Sequence, residues 1–171
     1  KMIKFPIERY RGLRLRTRVI VGVSAAIAVY LGTIATLVPV MDHVALNGTP
    51  SVPAHVLWKT PNRPILRGDF VLAPAHDPMI PKDYHYLTKY ALCVEGDMLT
   101  ERNGAFFCNG DLIHRAKRRT RLGAPLKAFS WPGGPVPKGM MFIGSRHPDG
   151  FDSRYLGLFR TKELIRAEKV L

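Results

Sequence analysis

Residues 84–97 read Tyr84-His85-Tyr86-Leu87-Thr88-Lys89-Tyr90-Ala91-Leu92-Cys93-Val94-Glu95-Gly96-Asp97. Aromatic and apolar side chains dominate the first eleven positions and Glu-Gly-Asp closes them with a turn signal, so the stretch predicts a strand over 84–94. Similar short runs occur at 69–72, 105–109, 140–144 and 156–160, separated by Gly, Pro and Asp, with Asn109-Gly110-Asp111 as a second turn. The pattern of 164–171 fits a strand or a short helix equally. Fourteen prolines and fifteen glycines without a repeating period exclude a long helical bundle or coiled coil. Residues 42–171 therefore read as an all-β domain.

The chain ahead of this domain is of a different kind. The 171 residues carry 26 Lys and Arg against 13 Asp and Glu, a net charge of +13, and 46% are hydrophobic, which excludes a disordered chain. Lys1, Lys4, Arg9, Arg11, Arg14, Arg16 and Arg18 face only Glu8 within residues 1–18, so seven cations against one acid put +6 there. Residues 19–41 then contain no ionisable side chain except Tyr30. As a helix they would span roughly 34 Å, enough for a hydrocarbon core of about 30 Å. A cleaved signal peptide has an apolar region of only about 7–15 residues. Length thus favours one uncleaved N-terminal transmembrane helix over 19–41, behind a basic cytoplasmic tail over 1–18. The positive-inside rule places residues 42–171 outside the cytoplasm.

In that compartment Cys93 and Cys108 are either a single disulfide or two buried thiols. They lack metal-ligand spacing, and neither a metal nor a cofactor is expected. Residues 115–121 pack Arg115, Lys117, Arg118, Arg119 and Arg121 together. A nucleic-acid groove would interleave aromatics with such cations, and none occur here, so no nucleic-acid partner is expected. A solvated loop, or one beside anionic membrane lipid, accounts for the run.

Several catalytic arrangements are excluded: the chain has no G-x-S-x-G, H-E-x-x-H, P-loop or G-x-G-x-x-G. His43, His55, His76, His85, His114 and His147 are scattered singly and read as surface or loop residues. Two local features remain. Asn47-Gly48-Thr49-Pro50-Ser51-Val52-Pro53 holds a serine in a proline-stiffened turn, about ten residues beyond the apolar stretch and so within about 35 Å of it. Lys89 falls inside a predicted strand, where alternation groups it with Leu87 and Ala91. It is either an edge lysine that discourages aggregation or a buried amine, neutral near pH 7, able to take a proton from a serine hydroxyl.

Four blocks in order resemble the type I signal peptidases, membrane-bound serine proteases with a Ser–Lys dyad. They are Ser51-Val52-Pro53; Arg67-Gly68-Asp69-Phe70-Val71-Leu72; Lys89 to Asp97; and Val136-Pro137-Lys138-Gly139 leading into residues 144–157. Residues 144–157, Gly-Ser-Arg-His-Pro-Asp-Gly-Phe-Asp-Ser-Arg-Tyr-Leu-Gly, keep the spacing of a family block ending in Asp-Ser-Arg-x-x-Gly. The short Asn-x-Thr-x-Ser-x-Pro segment, single span and small domain look like the TraF peptidases of conjugative plasmids. That resemblance implies a signal peptidase-like β fold on the periplasmic side of a bacterial inner membrane. It implies a conjugative pilin precursor, or another exported peptide, as substrate, with other conjugation proteins as partners. The product would be a cleaved or a cyclised pilin. General processing of secretory precursors, or a non-catalytic place in the mating apparatus, are the alternatives. Carried onto this chain, Ser51 would be the nucleophile, Lys89 the general base and Thr49 the oxyanion-hole hydroxyl, with Asp152, Ser153 and Arg154 supporting the site.

The chain departs from the family pattern at four places. Ser-x-Pro is shorter than the usual Ser-Met-x-Pro, Glu95 replaces a proline, and Ala54-His55-Val56-Leu57-Trp58 replaces a Gly-Leu-Tyr common in this branch. Gly150 stands where many relatives carry a serine that hydrogen-bonds the lysine. Ser153, a water or packing is then left to orient Lys89.

Overall fold

The computed structural model describes residues 15–48, 51–75, 77, 78, 80 and 85–171. It divides into two compact units, residues 1–42 and 43–171, of which the first is described from Leu15 onward. The first holds all but the last residue of the helix α1 (Leu15–His43), which extends beyond the predicted 19–41 at both ends. Its mean hydropathy reaches 2.1 over an 18-residue window, and it is long and apolar enough to cross a membrane. The hydroxyls of Thr33 and Thr36 donate to the carbonyls of Val29 and Gly32 one turn back, so neither needs water.

The second unit is built almost wholly of antiparallel strands. These are β1 (Val44–Leu46), β2 (Val56–Lys59), β3 (Phe70–Pro74), β4 (Tyr86–Cys93), β5 (Met98–Arg102), β6 (Ala105–Cys108), β7 (Asp111–Arg115), β8 (Gly134–Pro135), β9 (Met140–Gly144), β10 (Phe159–Arg160) and β11 (Ile165–Lys169). One sheet has the order β1-β2-β11-β3-β4-β9-β10 and the other β7-β6-β5-β8. A one-turn helix, α2 (Ser153–Leu156), follows β9.

Burial explains why the central strands read as continuous apolar runs. On β3, Leu72 packs with Val52, Leu57 and Tyr90, whereas Val71 and Ala73 pack with Ala91, Met141 and Ile143. Both faces of the large sheet are covered, so period-two alternation disappears from its middle strands. The outer and smaller strands were not predicted. β1, β2, β5, β7 and β8 are short or half-exposed; β1 is only three residues long, and the others carry charged, glycine or proline residues that hide the pattern. One expectation is corrected and one open reading is decided. Residues 156–160 are the end of α2 and a two-residue strand rather than one strand, because Asp152 caps a helical turn and Gly157 ends it at φ +80°. Residues 164–171 contain β11, inserted between β2 and β3.

A register shift between Ala91 and Cys93 bends β4 as it leaves the large sheet for the Glu95-Gly96 turn and β5. Cys93 and Cys108 are joined in a disulfide, S–S 2.00 Å, which ties β4 of the large sheet to β6 of the small one. Asp97 lies beside the two sulfurs, but their mutual bond leaves no thiolate to hold a metal there. Closing a loop of about 15 residues is worth about 3 kcal/mol. Cys93→Ala with Cys108→Ala should therefore lower unfolding stability by about 2–4 kcal/mol, measured by urea denaturation with and without reductant. Reductant should shift the parent midpoint and leave that of the double variant unchanged.

Candidate active site

The serine-bearing turn is held from both ends. Asn47 is buried and its side-chain amide donates to the carbonyls of Ala54 (2.9 Å) and Val52 (3.4 Å), while its own N–H donates to His55 (2.9 Å). Val52 and Ala54 are buried in the first core cluster, so the half-buried Ser51 is carried on a short, anchored excursion from the core. Asn47 was quoted in the sequence motif without a role. Its amide can close the loop across seven residues because it satisfies two buried carbonyls at once. Thr49 and Pro50 lie outside the described residues.

Lys89 is on β4, which pairs with β3 on one side and β9 on the other, opposite Val71. It is therefore in the sheet's interior, and the edge-lysine reading is set aside. Only 3% of it is exposed, and Nζ lies 3.3 Å from Ser51 Oγ. Burial pushes the amine's pKa below its usual value; the Asp152 carboxylate opposes this and the Arg154 guanidinium reinforces it. A neutral amine at this distance from a hydroxyl can accept its proton.

The segment after β9 packs a fully buried ion pair against this amine. Arg154 Nε donates to Asp152 Oδ1 at 2.8 Å and Nη2 to Oδ2 at 2.9 Å. The guanidinium also donates to the carbonyls of Pro148 (3.2 Å), Gly150 (2.5 Å) and Arg115 (3.3 Å). Asp152 in turn accepts the backbone N–H of Ser145 (3.1 Å) and of Arg154 (3.2 Å). Among the described residues no buried side-chain nitrogen or oxygen is left without a partner. Ser153 is buried too, and its hydroxyl accepts Ile143 N–H at 2.9 Å, bolting α2 to β9.

Two further residues at the site escaped the sequence reading. His114, expected at the surface, lies half-buried on β7 with Nε2 against the Ser145 carbonyl. Burial lowers its pKa, as do the Arg154 guanidinium and, least, the charged form of Lys89, against the Ser145 carbonyl and Asp152. Its signal was hidden because β7 runs straight into the basic run. Ser145 is 1% exposed and follows Gly144, which pairs with Tyr90, so it continues the register toward Lys89. A Cβ on Gly150 would sit 2.0 Å from Ser145 Oγ, 2.8 Å from Arg154 Nη2 and 3.1 Å from Asp152 Oδ2. The space a side chain at 150 would require is filled by the hydroxyl of Ser145, which accounts for the glycine.

A buried amine against a serine hydroxyl, braced by a satisfied ion pair on a β scaffold, has the parts of a serine peptidase that works without histidine. The chain belongs to the signal peptidase family, peptidase S26, a family of serine peptidases, whose family model matches residues 16–170. A crystal structure of a signal peptidase I from Enterococcus faecalis V583 is similar at 23% identity, covering 66% of this chain and 99% of that one, with a TM-score of 0.38. No curated protein matches the chain.

The crowding at Gly150 has a direct consequence. Gly150→Ser should destabilise the protein by about 1–3 kcal/mol through overpacking. Ser145→Gly introduced alongside should recover most of that loss, giving a coupling energy above about 0.5 kcal/mol in a double-mutant cycle read by denaturation.

Proposed function

We propose that this chain is a membrane-anchored Ser–Lys endopeptidase that matures a conjugative pilin precursor. The observation that carries the catalytic half is Lys89 Nζ at 3.3 Å from Ser51 Oγ, with the lysine 3% exposed. The pilin half rests on the short Asn-x-Thr-x-Ser-x-Pro segment and its resemblance to the conjugative branch.

In the proposed reaction neutral Lys89 takes the Ser51 proton as Oγ attacks the scissile carbonyl of an exported precursor. The Ser51 N–H and the Thr49 hydroxyl stabilise the oxyanion, a contribution of about 10²–10³ in rate for one donor. Protonated Lys89 then delivers its proton to the departing amine, leaving an acyl-Ser51 ester. Water resolves the ester to a linear product. The substrate's own amine resolves it to a ring, which requires that amine to be held closer than water. The substrate would add as a strand to an exposed sheet edge. Asp152, Ser153 and Arg154 hold the site without touching substrate. The basic flank of the apolar helix supports a cytoplasmic N-terminus and a periplasmic site, and the disulfide suits that oxidising compartment.

A second reading is favoured by the family match itself: a signal peptidase acting on many secretory precursors. Incubating membranes that contain the full chain with a pilin precursor and with unrelated secretory precursors separates the two. Selective cleavage of pilin is expected, and a product one water lighter than the linear form would mark the ring. Equal cleavage of all precursors would overturn the pilin assignment. Ser51→Ala and Lys89→Ala should each reduce processing by about 10⁴-fold or more. Processing at parental rates in either variant would overturn the dyad.

The lowered pKa of Lys89 fixes a pH dependence. The base form is the neutral amine, so kcat/KM should fall by about tenfold per pH unit on the acid side of that pKa and level off above it. A lysine left at its ordinary value near 10.5 would keep the rate rising through neutral pH to the alkaline limit. A plateau reached below that value is the expected profile.

A further inference from the structure

The basic run is not used by the proposed reaction, and in the structure it is an ordered projection. Residues 115–127 hold six cations and no acid. The projection folds back on itself: Leu126 N–H donates to Arg118 O (2.9 Å), Thr120 N–H to Ala124 O (2.8 Å) and Gly123 N–H to Thr120 O (3.0 Å). Arg119 Nη1 also donates to Gly123 O at 3.0 Å. Leu122 stands at its tip, 94% exposed, between Arg121 and Gly123. Behind the tip is a cleft of about 320 Å³ whose lining joins Lys117, Arg119 and Arg121 to the apolar faces of Leu126, Phe151 and Tyr155. Among the described residues the run makes one ion pair, Lys117 with Asp149, so most of its charge is not neutralised within the protein.

We propose that residues 115–126 form a bilayer-docking finger, in which the cations and the cleft behind them take the headgroup of an anionic phospholipid while Leu122 enters the interface. Three features on the molecule select a lipid surface over other polyanions. An exposed leucine at the tip of a cationic turn gains nothing from a nucleic acid's phosphates, whereas it gains burial in an acyl boundary. The cleft mixes cations with apolar walls, as a headgroup joined to glycerol and acyl chains requires. The apolar helix ends at His43 and β1 starts at Val44, so no linker separates the folded unit from the segment long enough to span a bilayer. The attraction is electrostatic and decays over about 8 Å at physiological salt, so it acts only on a surface already close.

The test uses the full chain in nanodiscs. The native cysteines are both in the disulfide, so Leu122→Cys offers a single thiol for an environment-sensitive fluorophore. Discs of phosphatidylcholine alone are compared with discs that also contain phosphatidylglycerol, each with brominated acyl chains as quencher. Quenching and a blue shift stronger with phosphatidylglycerol, and reduced at least about fivefold by Arg118→Glu with Arg121→Glu, are expected. No quenching in either disc would overturn the proposal. Equal quenching in both, unmoved by the charge reversal, would overturn recognition of an anionic headgroup. A dye shielded by added precursor peptide but never quenched would overturn it in favour of a peptide-binding loop. The fluorescence is read without turnover, so its outcome stands apart from that of the peptidase reading and can be repeated in a Ser51→Ala chain.

Discussion

The arrangement around Lys89 depends on one guanidinium. Arg154 is wholly buried, and its donors reach Asp152, Gly150 and Pro148 on its own stretch of chain and Arg115 at the end of β7. Through Asp152 the same pair holds Ser145 N–H, the point where the chain leaves β9 beside β4. A buried ion pair is weak as a source of net stability, because desolvation offsets most of its attraction. It is strong as a constraint, since removing one partner leaves the other charged and unsolvated, at about 3–5 kcal/mol. The consequence here is geometric. Residues 145–154, which contain Ser145, Pro148, Gly150 and Ser153, are tied together by the acceptors they offer this guanidinium and by the Ser145 N–H they offer its carboxylate partner.

How much of this could be read from the chain follows from what kind of signal each part leaves. Lys89 was legible because a charge in an apolar strand is an anomaly that needs only local sequence to notice. The apolar helix was legible because a run without ionisable groups is a one-dimensional property. Residues 69–72, 105–109 and 140–144 showed as strands because both of their faces are buried or nearly so. β7 was invisible: Asp111-Leu112-Ile113-His114-Arg115 has charged ends and only two aliphatic residues, and its place is set by pairing with β6 rather than by its own pattern. His114 went with it. Gly150 was legible as a departure from a family pattern, but the reason for it, a steric exclusion by Ser145 five residues away, was not. A serine hydroxyl filling the room of a missing side chain leaves no periodicity and no composition bias, only a three-dimensional contact.

The last step concerns charge. A protein with 13 more cations than acids is an unfavourable place to keep a buried lysine protonated, yet bulk charge is screened and cannot by itself hold an amine neutral. The local groups decide. Asp152 favours the ammonium form of Lys89 and so opposes the effect of burial. Arg154, bonded to both oxygens of that carboxylate, supplies an opposing cation at nearly the same place. His114, the other titratable ring near the amine, is itself pushed toward its neutral form. Desolvation is the largest influence on Lys89 and lowers its pKa, with Asp152 opposing it and Arg154 reinforcing it. The buried pair thus does two things for Lys89 that an apolar replacement could do only singly: it fixes the backbone that encloses the amine, and it does so without adding a net charge to the enclosure.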